Sequence, residues 1–190
     1  MRMNKIFVIF GVSGSGQDTV IEGVIVKGLK AVRVITTATR KMRPGERLGQ
    51  PYYFISKKKF RGMILANRFI EWDLHYGDYY GCTYHEFERA RKTGKIILWK
   101  TDIKGALTIK RKFPEAITIY IKPPSLQVTL ARIRNRKTDS AEIIKKRLVD
   151  IKAYLKSEND GKFDYVLVNY DGRLRETVDK VATIIRKNII

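Results

Sequence analysis

The apolar run Lys5-Ile-Phe-Val-Ile-Phe10 leads directly into Gly11-Val-Ser-Gly-Ser-Gly16, and a helical pattern starts at once behind it. An apolar run without alternation reads as a strand buried on both faces, the kind found in parallel sheets. The glycines then let the chain turn tightly and open a helix. Amides at a helix N-terminus, with the positive end of its dipole, favour an anion whatever the side chains are. This context raises the loop above a plain strand-to-helix turn, the bland alternative, and makes it a candidate phosphate cradle. Its residues are Gly11, Ser13, Gly14, Ser15, Gly16, Gln17, Asp18 and Thr19. A full loop of this kind continues with Lys, which counters phosphate charge, and then Ser or Thr, which ligates magnesium. Gln17 and Asp18 stand there instead, and the Thr19 hydroxyl lies one residue too far on.

Apolar β-rich runs recur at 5–10, 31–37, 95–101, 116–121 and 163–168, with amphipathic stretches at 17–29, 103–112, 125–134, 140–157 and 173–188. The alternation predicts an α/β fold of the P-loop NTPase type, a parallel sheet flanked by helices. One interval, 38–94, is rich in Tyr, Phe, Arg and Gly, with strand-like pieces at 52–56 and 69–76, and reads as an inserted α+β lobe. Thr83-Tyr-His-Glu86 has the spacing of a capping box for a helix ending near Gly94, and Asp139 with Glu142 resembles a second capping pair. The 190 residues suit one domain, with a core of 1–37 and 95–190, the lobe at 38–94 and a helical lid at about 134–158.

The apolar runs fall short of the roughly 20 residues a membrane span needs. Gly11 and polar residues follow where a signal peptide would stay apolar, and the lone Cys82 allows no internal disulfide, so a cytoplasmic protein is expected. Lys and Arg number 39 against 19 Asp and Glu, a net charge of +20 that exceeds what a nucleotide pocket requires. A solvated basic surface and contact with nucleic acid both fit this excess, although no motif supports the second. The oligomeric state is left open.

From the loop onward the chain resembles the guanylate kinase family over almost its whole length. Thr39-Arg40-Lys41-Met42-Arg43-Pro44-Gly45-Glu46 is similar to the family's TTR-x-PR-x-GE stretch, and Gly49-Gln-Pro-Tyr52-Tyr-Phe54 follows. By that resemblance Arg40, Arg43, Tyr52 and Tyr80 grip the phosphate of GMP, and guanidinium forks do match phosphate oxygens. Phe69-Ile-Glu71-Trp72 and Gly77-Asp-Tyr-Tyr80-Gly81-Cys82-Thr83 resemble the segments that read the base. Glu71 can accept from both donors on the guanine edge, a pairing adenine does not offer. Thr36 and Asp102 join this set, and Cys82 stands where the family places a hydroxyl. Pro123-Pro124-Ser125, Arg132, Arg136-Lys137-Thr138-Asp139 and Lys145-Lys146-Arg147 resemble the lid, which makes Arg132, Arg136 and Arg147 the transfer-stage cations. Val166-Leu-Val-Asn169 resembles the adenine-side segment, with Asn169 as a donor-site candidate.

The resemblance implies transfer of a phosphoryl group from ATP, with Mg2+, to GMP. The departures keep two alternatives open: a catalytically silent GMP-binding or protein-interaction module, and a basic nucleic-acid-associated protein. In Leu98-Trp-Lys100-Thr-Asp102, Lys100 stands where the family uses an aspartate beside the phosphates. Gln17, Asp18 and Lys100 are expected to cluster. Either Lys100 supplies the cation that Gln17 lacks and Asp18 an oxygen ligand for magnesium, or the two form a salt bridge filling an empty donor site.

Overall fold

In this computed structural model residues 4–136, 139–156 and 162–189 are described, so Lys137, Thr138 and positions 157–158 of the expected lid lie outside the described residues. In chain order the elements are β1 (Ile6–Phe10), α1 (Gln17–Val26), β2 (Ala31–Arg33), β3 (Thr36–Ala38), β4 (Arg47–Leu48), β5 (Pro51–Phe54), α2 (Lys57–Leu65), β6 (Phe69–His75) and β7 (Asp78–Thr83). They continue with α3 (Tyr84–Lys92), β8 (Ile96–Thr101), α4 (Ile103–Lys112), β9 (Ile117–Lys122), α5 (Leu126–Asn135), α6 (Ala141–Lys156), β10 (Tyr165–Val168) and α7 (Leu174–Asn188).

The main sheet runs β10-β9-β1-β8-β2 with every neighbouring pair parallel. β1 lies at its centre, and its two faces explain the unbroken apolar run. Val8 and Phe10 join Trp99, Ile109 and Ile133 on one side, whereas Phe7 and Ile9 join Ile21, Val24, Val181 and Ile185 on the other. Burying such side chains contributes about 1.5–3 kcal/mol each, which makes this layer the main source of stability. On the second face α1 packs closely on α7. Gly23 permits that approach, since a Cβ there would stand 2.6 Å from Val178.

A second sheet, β4-β5-β3-β7-β6, forms the inserted lobe, with antiparallel pairing at β3–β7 and β7–β6. Here the expectation of one strand over 31–37 is corrected. β2 pairs with β8 in the main sheet and β3 with β5 and β7 in the second. The buried Glu86 carboxylate accepts the Ile35 N–H at 2.7 Å, which satisfies the backbone where it leaves one sheet for the other. That use of Glu86 leaves the capping box half made: Thr83 Oγ1 accepts the Glu86 N–H at 3.1 Å, while the Glu86 side chain serves Ile35 and Arg89. The helix α2 was not anticipated. Ser56 caps it, and the lysine cluster 57–59 forms its exposed first turn. At α6 the cap is Ser140, whose Oγ accepts from Ile143 N–H at 3.3 Å, because Asp139 is engaged by arginines. Among the described residues no helix is long and apolar enough to cross a membrane.

Candidate active site

The loop after β1, the end of β8 and the second sheet meet around a single cleft of about 200 Å3, at the carboxyl edge of the parallel strands where open α/β sheets place their ligands. Gly14 and Gly16 hold φ of 87° and 92°, the left-handed region glycine enters without strain, and they bend the chain so that α1 starts facing the cleft. First-turn amides of a helix have no intrahelical acceptor, so this end presents donors to an anion. Asn169 braces the loop: its Nδ2 donates to Ser15 O at 2.9 Å, and Thr177 Oγ1 donates to its Oδ1 at 3.1 Å. Gln17 is buried and donates to Gly11 O at 2.6 Å, so its side chain folds back into the loop instead of reaching for a phosphate.

The cation missing from the loop arrives from β8. Lys100 Nζ donates to Asp18 Oδ2 at 2.5 Å and to Tyr52 Oη at 2.5 Å, and lies 5.1 Å from the centre of the Tyr52 ring. The other Asp18 oxygen, Oδ1, accepts from Arg33. Burial raises the Asp18 pKa, but Lys100 and Arg33 outweigh it and hold the carboxyl far below the usual carboxylate range. Lys100 itself is pushed up, since the attraction of Asp18 exceeds the penalty of burial. Asp18, expected as a magnesium ligand, fits that role poorly: each oxygen is paired with a cation, and a metal there would face Arg33 and Lys100.

On the opposite wall, Arg40 is held by Glu46 through bonds of 2.6 and 2.5 Å, and its guanidinium lies over the Tyr52 and Phe54 rings. Arg43 donates to Asp139 at 2.8 Å, and Arg147 reaches the same carboxylate at 3.4 Å while donating to Ser13 Oγ at 2.7 Å. Arg136 also lines the cleft. Burial, then the neighbouring charges of Arg43 and Arg147, pull its pKa down. Such crowding of guanidinium groups is relieved by a multivalent anion. Tyr80 stands beside Tyr52 with ring centres 6.1 Å apart, and Thr36, Glu71 and Asp102 complete the wall. Glu71 is buried, and burial, followed by the charge of Asp102, raises its pKa to about 8. Asp102 Oδ1 accepts the Gly105 N–H at 2.6 Å as the cap of α4.

Four expected site residues lie outside the cleft lining: Arg132, Asn169, Cys82 and Ser15. Arg132 points away from it and donates to Gly14 O at 3.2 Å and Asn169 O at 2.8 Å, which makes it a brace behind the loop. Asn169 is buried, with its amide bonded to the loop and to Thr177, which sets it among the braces of the loop. Cys82 is fully buried, with its thiol toward Thr83 O. Ser15 is buried as well, while Thr19 is exposed at the rim. Sequence reasoning missed Arg33 and His75. A lone arginine inside the apolar run 31–35, and the ionisable residues at 71, 73 and 75 on one face of a strand, were the available signals.

The family model described as guanylate kinase matches residues 3–188. The guanylate kinase of Prochlorococcus marinus subsp. pastoris is 37% identical over 185 residues, covering 97% of this chain and 98% of that protein. The guanylate kinase of Chlorobaculum tepidum is 37% identical over 184 residues, covering 96% and 92%. Among solved structures, guanylate kinase from Anaplasma phagocytophilum superposes with a TM-score of 0.70 at 23% identity, covering 98% of this chain and 87% of that one.

Proposed function

Because the chain belongs to the guanylate kinase family, we propose that it transfers the terminal phosphoryl group of ATP to the phosphate of GMP, giving ADP and GDP. The observation that carries this reading is the placement of Lys100. Its ammonium bonds at once to the first turn behind the donor loop and to a tyrosine of the acceptor wall, which puts a fixed cation between two phosphate sites within one cleft.

In this reading the lobe at 38–94 carries the acceptor site. Arg40, Arg43, Tyr52 and Tyr80 take the GMP phosphate, and Thr36, Glu71 and Asp102 take the base. The backbone of the loop from Gly11 to Thr19 cradles the donor phosphates, and Mg2+ comes as part of the ATP co-substrate. Phosphoryl transfer asks the protein chiefly for alignment and for positive charge around the moving group. Lys100, Arg136 and Arg147 meet that need: one from the sheet, one at the end of α5 and one on α6. An oxygen of the GMP phosphate attacks, the bond to the ADP oxygen breaks, and no side chain has to take a proton. Asp139 holds Arg43 and Arg147 until the substrate phosphates replace it as their anion. The lid at about 134–158 carries two of these cations, and the protein works in the cytoplasm, where both nucleotides are found.

The test is ADP formation by the purified protein with ATP, Mg2+ and GMP, with AMP, CMP and UMP as parallel acceptors. GMP-dependent turnover is expected. Calorimetric binding of GMP without any turnover would overturn the reading and leave a silent GMP-binding module.

A further inference from the structure

His75, at the end of β6, has no part in the chemistry above. Residues 71, 73 and 75 share one face of that strand, so Glu71, Asp73 and His75 form a row toward the start of α4, while Trp72 and Leu74 point outward. His75 Nε2 pairs with Asp102 Oδ2 and lies 3.2 Å from Asp73 Oδ2. Lys104 Nζ reaches the same Asp73 oxygen at 3.4 Å. The charges therefore alternate through space along Lys104, Asp73, His75 and Asp102, and Glu71 stands beside the last as a second carboxyl group.

We propose that His75 is a specificity-determining positioning residue, whose imidazolium neutralises Asp102 so that Glu71 can ionise and accept from the guanine edge. This rests on the acceptor-pocket reading above. Two neighbouring carboxylates with no counter-charge do not readily ionise together. Guanine presents two donors on this edge, and only an ionised Glu71 offers an acceptor to each. Every other charge facing the row has a place in the balance. Asp73, Asp102 and Lys104 surround His75, with the Tyr76 and Tyr80 rings beside it. Asp102, Asp73 and the Cys82 thiol surround Glu71, whose Oε2 would lie 3.1 Å from a Cβ at Gly105. Burial works against the His75 charge, yet Asp102 and Asp73 outweigh it and raise the imidazole pKa. Burial likewise opposes the Asp102 charge, and His75 outweighs it.

The experiment compares GMP binding by calorimetry in the intact protein, His75→Gln and His75→Lys. Glutamine keeps a hydrogen-bond donor and loses the charge, whereas lysine keeps the charge. His75→Gln should weaken GMP binding about tenfold at pH 7, the effect of one further unit on the Glu71 pKa, and the loss should shrink as pH rises toward about 9. His75→Lys should bind like the parent protein, and kcat at saturating GMP should be unchanged in both variants. Equal losses in the two variants, or parallel pH profiles, would reduce His75 to packing and overturn the proposal. Should His75→Gln not fold, the parent protein still decides. At about pH 7.5, above the second ionisation of the GMP phosphate near 6, binding must release a proton, read as heat that varies with buffer ionisation enthalpy. Absence of that release overturns the proposal, whereas failure of the parent protein to bind GMP at all sinks the acceptor-pocket reading instead.

Discussion

Replacing Lys100 with alanine removes an ammonium that serves both walls of the cleft at once. It bonds Asp18 and Tyr52 at 2.5 Å each and has 15% of its side-chain surface exposed, so neither water nor a neighbouring chain readily substitutes for it. The cost to catalysis is that of one preorganised partner of the transferring group, about 100- to 1000-fold in kcat, or roughly 3–4 kcal/mol. The cost to folding is much smaller. Asp18 keeps 42% of its side-chain surface exposed and retains Arg33, so the lost pair is screened and contributes about 1 kcal/mol. In a chain of this size that lowers Tm by about 2–4 °C. GMP affinity loses at most the one hydrogen-bond arrangement around Tyr52, a change within about tenfold. The assay is a coupled measurement of ADP formation at saturating ATP and GMP, alongside calorimetric GMP binding and thermal unfolding. The reasoning predicts a fall in kcat far beyond the changes in affinity and stability. Full kcat in Lys100→Ala would falsify it and leave Lys100 and Asp18 as a salt bridge filling the donor site.

Three other outcomes follow from the same geometry. Gln17→Lys alone should raise kcat less than about threefold, because the Gln17 side chain serves Gly11 O and a second ammonium would face Lys100 without a further carboxylate; restoration of rapid turnover would contradict this, and the scale is that of one weak hydrogen bond. Gly16→Ala should destabilise the fold by more than about 1 kcal/mol and abolish donor binding, since φ is 92° and the new Cβ would stand 2.5 Å from Asn169 Nδ2; thermal unfolding and ATP titration check both effects. GMP affinity should weaken as pH falls through about 8, where the Glu71 carboxyl gains its proton, and level off above that pH. The sign is fixed because a raised carboxyl pKa disfavours the charged form the base requires, and Glu71→Gln should abolish the step in a pH series of calorimetric titrations.

Much of the fold was legible because it rests on period and punctuation. The unbroken apolar run at β1 implied a strand buried on two faces, and glycines at 11, 14 and 16 implied the turn into α1. The helix expected at 103–112 is found at those positions. Legibility failed where a long-range partner decides. Nothing local says that the 31–37 run divides between two sheets, because the group that stabilises the crossing is Glu86, 51 positions from Ile35. α2 was missed since its first turn is three lysines with no apolar face of their own. In the site, the meeting of Lys100 with Asp18 could be anticipated from paired departures in charge. Its contact with Tyr52 could not, for that depends on how the inserted lobe seats against the sheet, and neither could the clamp of Arg33 on Asp18, which depends on the edge strand β2 lying beside α1. Arg132 and Asn169 were assigned to substrate because sequence fixes where a residue sits in a motif but not which way a committed side chain points.

The donor loop takes most of its shape from buried neutral contacts, Asn169 to Ser15, Thr177 to Asn169 and Gln17 to Gly11, to which the guanidinium groups of Arg132 on Gly14 O and Arg147 on Ser13 Oγ are added. The charges assigned to the phosphates come from elsewhere, on β8, the end of α5, α6 and the inserted lobe. Shape and field are therefore largely separate variables in this protein. Added salt, which shortens the reach of exposed charges to about 3 Å at 1 M, weakens the field and leaves the neutral scaffold almost untouched. High ionic strength should thus cost this enzyme substrate affinity well before it costs it the loop, and the loss should reverse on dilution.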